Sequence, residues 1–146
     1  KQEEMSKNLE RYSLYEAYEV RQVLETKAMD LIVRNATDSD LDEVETAYQT
    51  MLLRFAETNT TTGEFELHQL YAKKTGSVFM EQTLNIVLST ILEMMHTTSH
   101  NVMDMHQVEE EKADHRRIID ALHKRDSSAA QQAMYDHIQH TLDILQ

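Results

Sequence analysis

Apolar side chains recur along this chain at spacings of three and four almost from end to end, the period of an α-helix lying against a core. Leu14, Ala17, Arg21, Leu24, Ala28 and Leu31 form one such stripe and predict a first helix over about 14–34, with a helical lead-in over 1–11. Leu41, Val44, Ala47, Met51 and Leu52 predict a second over about 41–57. A polar stretch at 58–62 and Gly63 lead into a short third helix ending near Lys74. A fourth reaches about His96 and carries Val78, Phe79, Leu84, Val87, Leu88, Ile91 and Leu92, an almost continuous apolar run that predicts the most buried element. The stretch 97–105 reads either as a loop or as a bend within one helix. A fifth helix contains the acidic run 109–111 and continues to Lys124, and a sixth spans 129–145.

The boundaries carry their own signals. Thr37 or Ser39, followed three residues on by Asp40 or Asp42, resembles a capping box. Lys73 and Lys74 before Gly76 suit a helix C-terminus, with glycine in the left-handed position. Ser77 and Asp126 are suitable N-caps for the helices that follow them.

Composition sharpens the fold class. The 146 residues include no proline and only two glycines, so turn and hairpin punctuation is nearly absent. The expectation is an all-α protein, an antiparallel bundle of about six to seven helices forming one domain over 1–146. No apolar run approaches the roughly 20 residues needed to cross a bilayer. Cysteine is absent, so no disulfide supports the fold, and the cytoplasm is the default compartment. A formal net charge of -12 opposes direct contact with phosphate backbones and favours solubility. The chain opens on Lys1 rather than methionine, which suggests a fragment or processed product of a longer protein.

The candidate chemistry lies in four residues. His115 precedes Arg125 by ten positions and His137 follows Asp126 by eleven, so in an antiparallel hairpin turning at 125–126 both stand about 15 Å from the turn at one level. Glu64 and His68 are one helical turn apart, on one face, with Cβ atoms about 5–6 Å apart. Three imidazoles and a carboxylate are ligands that a divalent cation accepts, and helix bundles build metal sites this way. Spacing alone leaves an equal alternative, that these are satisfied core histidines. His96 and His100 share i, i+4 spacing without a third partner, and His106, His123 and His140 carry no further signal. Arg21 sits inside the first apolar stripe. A buried guanidinium needs a partner, either a carboxylate such as Glu25 one turn on, or the carboxylate of a small bound acid received bidentately.

Taken in order, the motifs resemble a known family. The segment Tyr18-Glu19-Val20-Arg21 through Leu24-Glu25 is similar to E-x-R-x-x-L-E. Glu64-Phe65-Glu66-Leu67-His68 with Thr75-Gly76 is similar to D-x-x-F-H…T-G-N. Asp114-His115-Arg116-Arg117-Ile118-Ile119-Asp120-Ala121-Leu122, then Asp126, Ala133-Met134 and His137, is similar to E-H-x-x-I-x-x-A-I…D…A-x-x-M-x-x-H. These patterns are those of the FCD domain, the effector-binding domain of GntR-type bacterial transcription regulators of the FadR subfamily. The resemblance implies a divalent metal, zinc first with nickel or manganese as alternatives, held by Glu64, His68, His115 and His137. It also implies a small carboxylate metabolite as effector, with Arg21 as a residue that could receive it, and a homodimeric full-length protein. Operator DNA would be bound only through an N-terminal winged helix-turn-helix that these residues do not contain. Two positions depart from the pattern: Glu64 stands where aspartate is usual, and Ser77 where asparagine is usual. The expected role is a sensor and not an enzyme. The competing readings are a metal-dependent helical enzyme, in which the ion activates water, and a metal-free bundle serving assembly.

Overall fold

The computed structural model describes residues 2–58, 64–98 and 105–146, with side chains over 12–58, 64–95 and 107–146. Six helices make up the described chain: α1 (Gln2–Asn35), α2 (Asp38–Thr58), α3 (Glu64–Lys74), α4 (Val78–Thr98), α5 (Met105–His123) and α6 (Ser127–Leu145). The expected lead-in and first helix are one element, since nothing between Arg11 and Leu14 breaks the backbone ladder. The stretch expected to be a loop or a bend contributes Thr97 and Thr98 to α4 and Met105 to α5; its centre, 99–104, lies outside the described residues.

Local chemistry fixes the ends. The Thr37 amide donates to Asp40 Oδ2 at 2.9 Å and the Asp40 amide to Thr37 Oγ1 at 3.1 Å, a reciprocal cap of α2. Met80 N–H donates to Ser77 Oγ, and Ala129 N–H to Asp126 Oδ1. Gly76 has φ +70°, and an added Cβ would stand 3.1 Å from Asn35 Cβ, so both the backbone and the space call for glycine. Arg125, at φ 53°, takes the left-handed position between α5 and α6. The Asp126 amide donates to the Ala121 carbonyl and the Arg125 amide to the Leu122 carbonyl, the paired bonds that close a helix end. Arg125 also repays its strained backbone. Its guanidinium donates to the carbonyls of Val33 and Ala36, satisfying acceptors at the C-terminal end of α1.

Long-range bonds give the directions. Gln22 reaches Tyr135 O and Gln139, while Asp30 meets Ser127, so α1 and α6 run antiparallel. Tyr18 meets Met95, and Asn35 meets Thr75 just before α4, so α1 and α4 are antiparallel too. Glu25 meets His68 and Asn35 meets Thr75, so α3 runs parallel to α1. Tyr48 bonds the Lys112 carbonyl and Glu45 bonds Arg116, which sets α2 antiparallel to α5. α1 touches α3, α4, α5 and α6 and forms the spine of the bundle. The main core combines Leu14, Met29, Ile32, Met51, Phe55, Leu67, Tyr71, Ile118, Leu122 and Met134.

One expectation needs correcting. α4 is not the most buried element: Leu84, Leu88 and Ile91 face inward, but Val78, Phe79, Ile86 and Leu92 are exposed. α4 packs on α1 and α3 alone, so among the described residues no element covers its outer face. The α1 stripe is also rotated. Its buried row is Leu14, Tyr18, Arg21, Glu25, Ala28 and Ile32, and this carries Glu25 fully inside.

Candidate metal centre

Three helices meet around the predicted set. α3 presents Glu64 and His68 from one face, α5 presents His115, and α6 presents His137 at the level that the hairpin geometry requires. The His115 and His137 rings are 4.5 Å apart between centroids, and His68 lies 5.1 Å from one and 5.3 Å from the other. One ligand atom from each of Glu64, His68, His115 and His137 falls within 4.8 Å of the others. All three imidazoles are buried.

The tips converge on one oxygen. Glu64 Oε1 is 3.1 Å from His68 Nε2, 3.3 Å from His137 Nε2 and 3.8 Å from His115 Nε2. His68 Nε2 and His137 Nε2 are 3.2 Å apart. Donors about 2.1 Å from a common ion stand about 3.0 Å apart at a right angle and about 3.4 Å apart at a tetrahedral angle, a range that the separations among Glu64, His68 and His137 occupy, while His115 Nε2 stands a few tenths of an ångström further from Glu64. The extra methylene of glutamate, where aspartate is usual, does not keep the oxygen away from the imidazoles.

The far side of each ring is fixed by a different partner. His68 Nδ1 lies 2.6 Å from Glu25 Oε1, His115 Nδ1 lies 2.9 Å from Tyr71 Oη, and His137 Nδ1 lies 2.9 Å from Asp114 Oδ2. With Nδ1 so held, each ring aims Nε2 at the shared point, as partners of ligating imidazoles do. His115 Nε2 and Glu111 Oε2 are buried atoms with no hydrogen-bond partner. Orphaned donors and acceptors are costly inside a protein, and a cation among them would satisfy both. The residues fit a divalent metal.

The electrostatics agree with a site built for positive charge. Burial works to raise the Glu64 carboxyl, but the imidazoles of His115, His137 and His68 gathered around it bring it well below the usual carboxylate range. Burial would lower His137, yet Glu111, Asp114 and Glu64 together raise it well above an ordinary imidazole. Burial also opposes ionisation of Glu25, and His68 and Arg21 overcome it, bringing the carboxyl down to about 2.

Arg21 is buried and donates from Nε to Glu25 Oε2 at 2.7 Å, the ion pair that the sequence offered as one of two alternatives. Its guanidinium also lies over the Tyr18 ring, 5.2 Å from the centroid. Glu25 thus links Arg21 to His68. Glu111, Glu25, Asp114 and Tyr71 were not picked out from sequence as parts of the site. Glu111 had a readable signal, since it precedes His115 by four residues just as Glu64 precedes His68. The other three depend on how each helix is rotated. His123 pairs with Glu45 on the surface, and His140 pairs with Glu110 and Asp114; the side chains of His96, His100 and His106 lie outside the described residues.

Comparison with known proteins follows the same lines. No curated protein matches the sequence. Among solved structures, Streptococcus agalactiae GntR is 22% identical with a TM-score of 0.76, over 90% of this chain and 58% of that one. E. coli McbR/YncC is 15% identical with a TM-score of 0.73, over 89% of this chain and 66% of that one. This chain therefore spans less than two thirds of the length of the first and just under two thirds of the second. At these identities the likeness is one of fold. The FCD domain model matches residues 16–140, from the middle of α1 to the last turns of α6, and takes in every residue of the convergent set. By that match the chain belongs to the FCD domain family.

Proposed function

We propose that this chain is the effector-sensing domain of a GntR-type transcription regulator, and that Glu64, His68, His115 and His137 hold a divalent metal within it. The observation that carries the reading is the convergence of three Nε2 atoms on Glu64 Oε1, with every Nδ1 held from behind. When bound, the ion supplies positive charge that can hold an anionic oxygen. Arg21 adds a second cation, joined to the ligand His68 through Glu25. The effector is accordingly a small carboxylate metabolite bound near the metal and Arg21. Its binding would bias the bundle between two arrangements and thereby alter operator binding by a winged helix-turn-helix elsewhere in the full-length protein. That protein is taken to act in the cytoplasm as a homodimer. The exposed apolar side chains Val20 and Val23 on α1, with Phe79 and Ile86 on α4, are candidates for its subunit contact.

Elemental analysis of the purified chain tests the metal: about one equivalent of zinc, nickel or manganese is expected, and none would leave a metal-free assembly bundle. Calorimetric titration of small carboxylic acids into wild type and Arg21→Ala tests the effector; equal affinities would remove Arg21 from its site. The domain is read as a binder and not an enzyme, and turnover of a hydrolysable substrate by the metal-loaded chain would reverse that.

A further inference from the structure

We infer that Glu111 is a fifth ligand of the metal centre, giving it two carboxylates and three imidazoles. The inference rests on the metal-binding reading above. Glu111 lies on α5 one turn before His115, as Glu64 lies one turn before His68 on α3, so each helix offers a carboxylate and an imidazole from one face. Glu111 Oε2 is 3.7 Å from His115 Nε2 and 3.6 Å from His137 Nε2, on the side of both rings that faces Glu64. Its side chain is 9% exposed, and this oxygen accepts no hydrogen bond.

A simple ion pair with a protonated histidine explains this poorly. At 3.6 Å the contact to His137 is too long for a hydrogen bond, while Asp114 takes the short one at Nδ1. A buried carboxylate oxygen held without a partner costs free energy. Its position is explained when a cation lies between it and the open imidazole nitrogens.

Two consequences follow. A divalent ion between Glu64 and Glu111 is neutralised by them, whereas a single carboxylate would leave it with net positive charge. Five protein donors also exceed the tetrahedral set of structural zinc and suit an ion that accepts five or six ligands, such as manganese, nickel or cobalt. An ion that accepts six ligands would be left able to take one further oxygen, such as one from a carboxylate effector.

Cobalt(II) is the probe, because its visible absorption is weak with five or six ligands and intense with a tetrahedral four. Wild type and Glu111→Gln are loaded with cobalt, their spectra recorded, and their affinities measured by competition with a chelator. The expected result is weak absorption in the wild type, with a change in band position or intensity and at least tenfold weaker binding in Glu111→Gln. Glutamine keeps the side chain's shape, and the metal-free melting temperatures of both proteins, measured alongside, separate any loss of folding from a loss of metal affinity. Identical spectra with affinities within twofold would overturn the role of Glu111 and leave the four-ligand site standing. An intense tetrahedral spectrum in the wild type would overturn it regardless of how the variant folds. Failure of the wild type to bind cobalt at all would overturn both this inference and the metal-binding reading.

Discussion

His68 and Glu25 meet at 2.6 Å through Nδ1 and Oε1, across the contact between α3 and α1, and the other oxygen of Glu25 holds Arg21. The imidazole that faces the centre is therefore oriented from another helix. Replacing Glu25 with glutamine keeps the volume but weakens the acceptor. Metal affinity should fall about 10–100-fold, the usual loss when the partner of a ligating histidine is changed. Chelator competition measures it. Arg21 would also lose its buried counter-charge, which costs about 3–5 kcal/mol, so Glu25→Gln should melt well below the wild type.

Metal binding should release a proton near neutral pH. Burial lowers His137, but Glu111, Asp114 and Glu64 more than reverse this, so its pKa in the metal-free protein is raised well above that of an ordinary imidazole. At pH 7 the metal-free site therefore holds that proton, and an ion must displace it. Calorimetry in buffers of different ionisation enthalpy should show the release, and affinity should weaken as pH falls. For folding of the metal-free protein the sign is opposite. A raised folded-state pKa contributes stability that is full below about 6.5 and is lost as pH climbs through the folded value. Chelator-treated protein should thus melt lower at pH 9 than at pH 6.

Metal itself should stabilise the fold. Ion at about 100 times its Kd adds roughly 2.7 kcal/mol, or roughly 5–10 °C in Tm for a chain of this size. Removal with a chelator followed by re-addition, monitored by helical dichroism, measures the difference.

On the surface, Arg116 grips both oxygens of Glu45, at 2.9 and 2.6 Å. The Arg116 bond is the main cause that brings the Glu45 carboxyl from 4.5 to about 2, against a smaller opposing effect of burial. A depressed pKa contributes stability above about 4.5 that disappears as pH falls toward about 2. Both side chains are partly exposed, so the pair is worth about 0.5–1 kcal/mol after solvent screening. Glu45→Gln should be less stable than wild type at pH 7, with the gap closing between pH 4.5 and 2 in denaturant titrations.

Gly76→Ala should cost about 1–2 kcal/mol, since alanine is disfavoured at positive φ and its Cβ would press on Asn35. Denaturant unfolding measures this. Because Gly76 is remote from the imidazoles, metal affinity should stay within twofold of wild type.

Much of this architecture was legible because helices write a 3.6-residue period and i, i+4 neighbours share a face. Glu64 and His68, and the matched level of His115 and His137, required no tertiary information. Glu25 was legible only as a neighbour of Arg21. Its turn toward His68 depends on a rotation of α1 that places Tyr18, Glu25 and Ile32, and not Ala17, Leu24 and Leu31, at the centre of the buried face. α4 misled for a related reason: an apolar sequence does not say on how many sides a helix is covered. Glu111 was hidden within an acidic run that looked solvated, although only its last member turns inward.

α1 runs unbroken from Gln2 to Asn35, with Glu25 well past its midpoint. At about 1.5 Å per residue, Gln2 lies about 35 Å from Glu25 along the axis. A tilt of about 5° pivoting at Glu25 would swing that end by about 3 Å, so a small rotation at the residue that holds His68 would be magnified along the length of the rod.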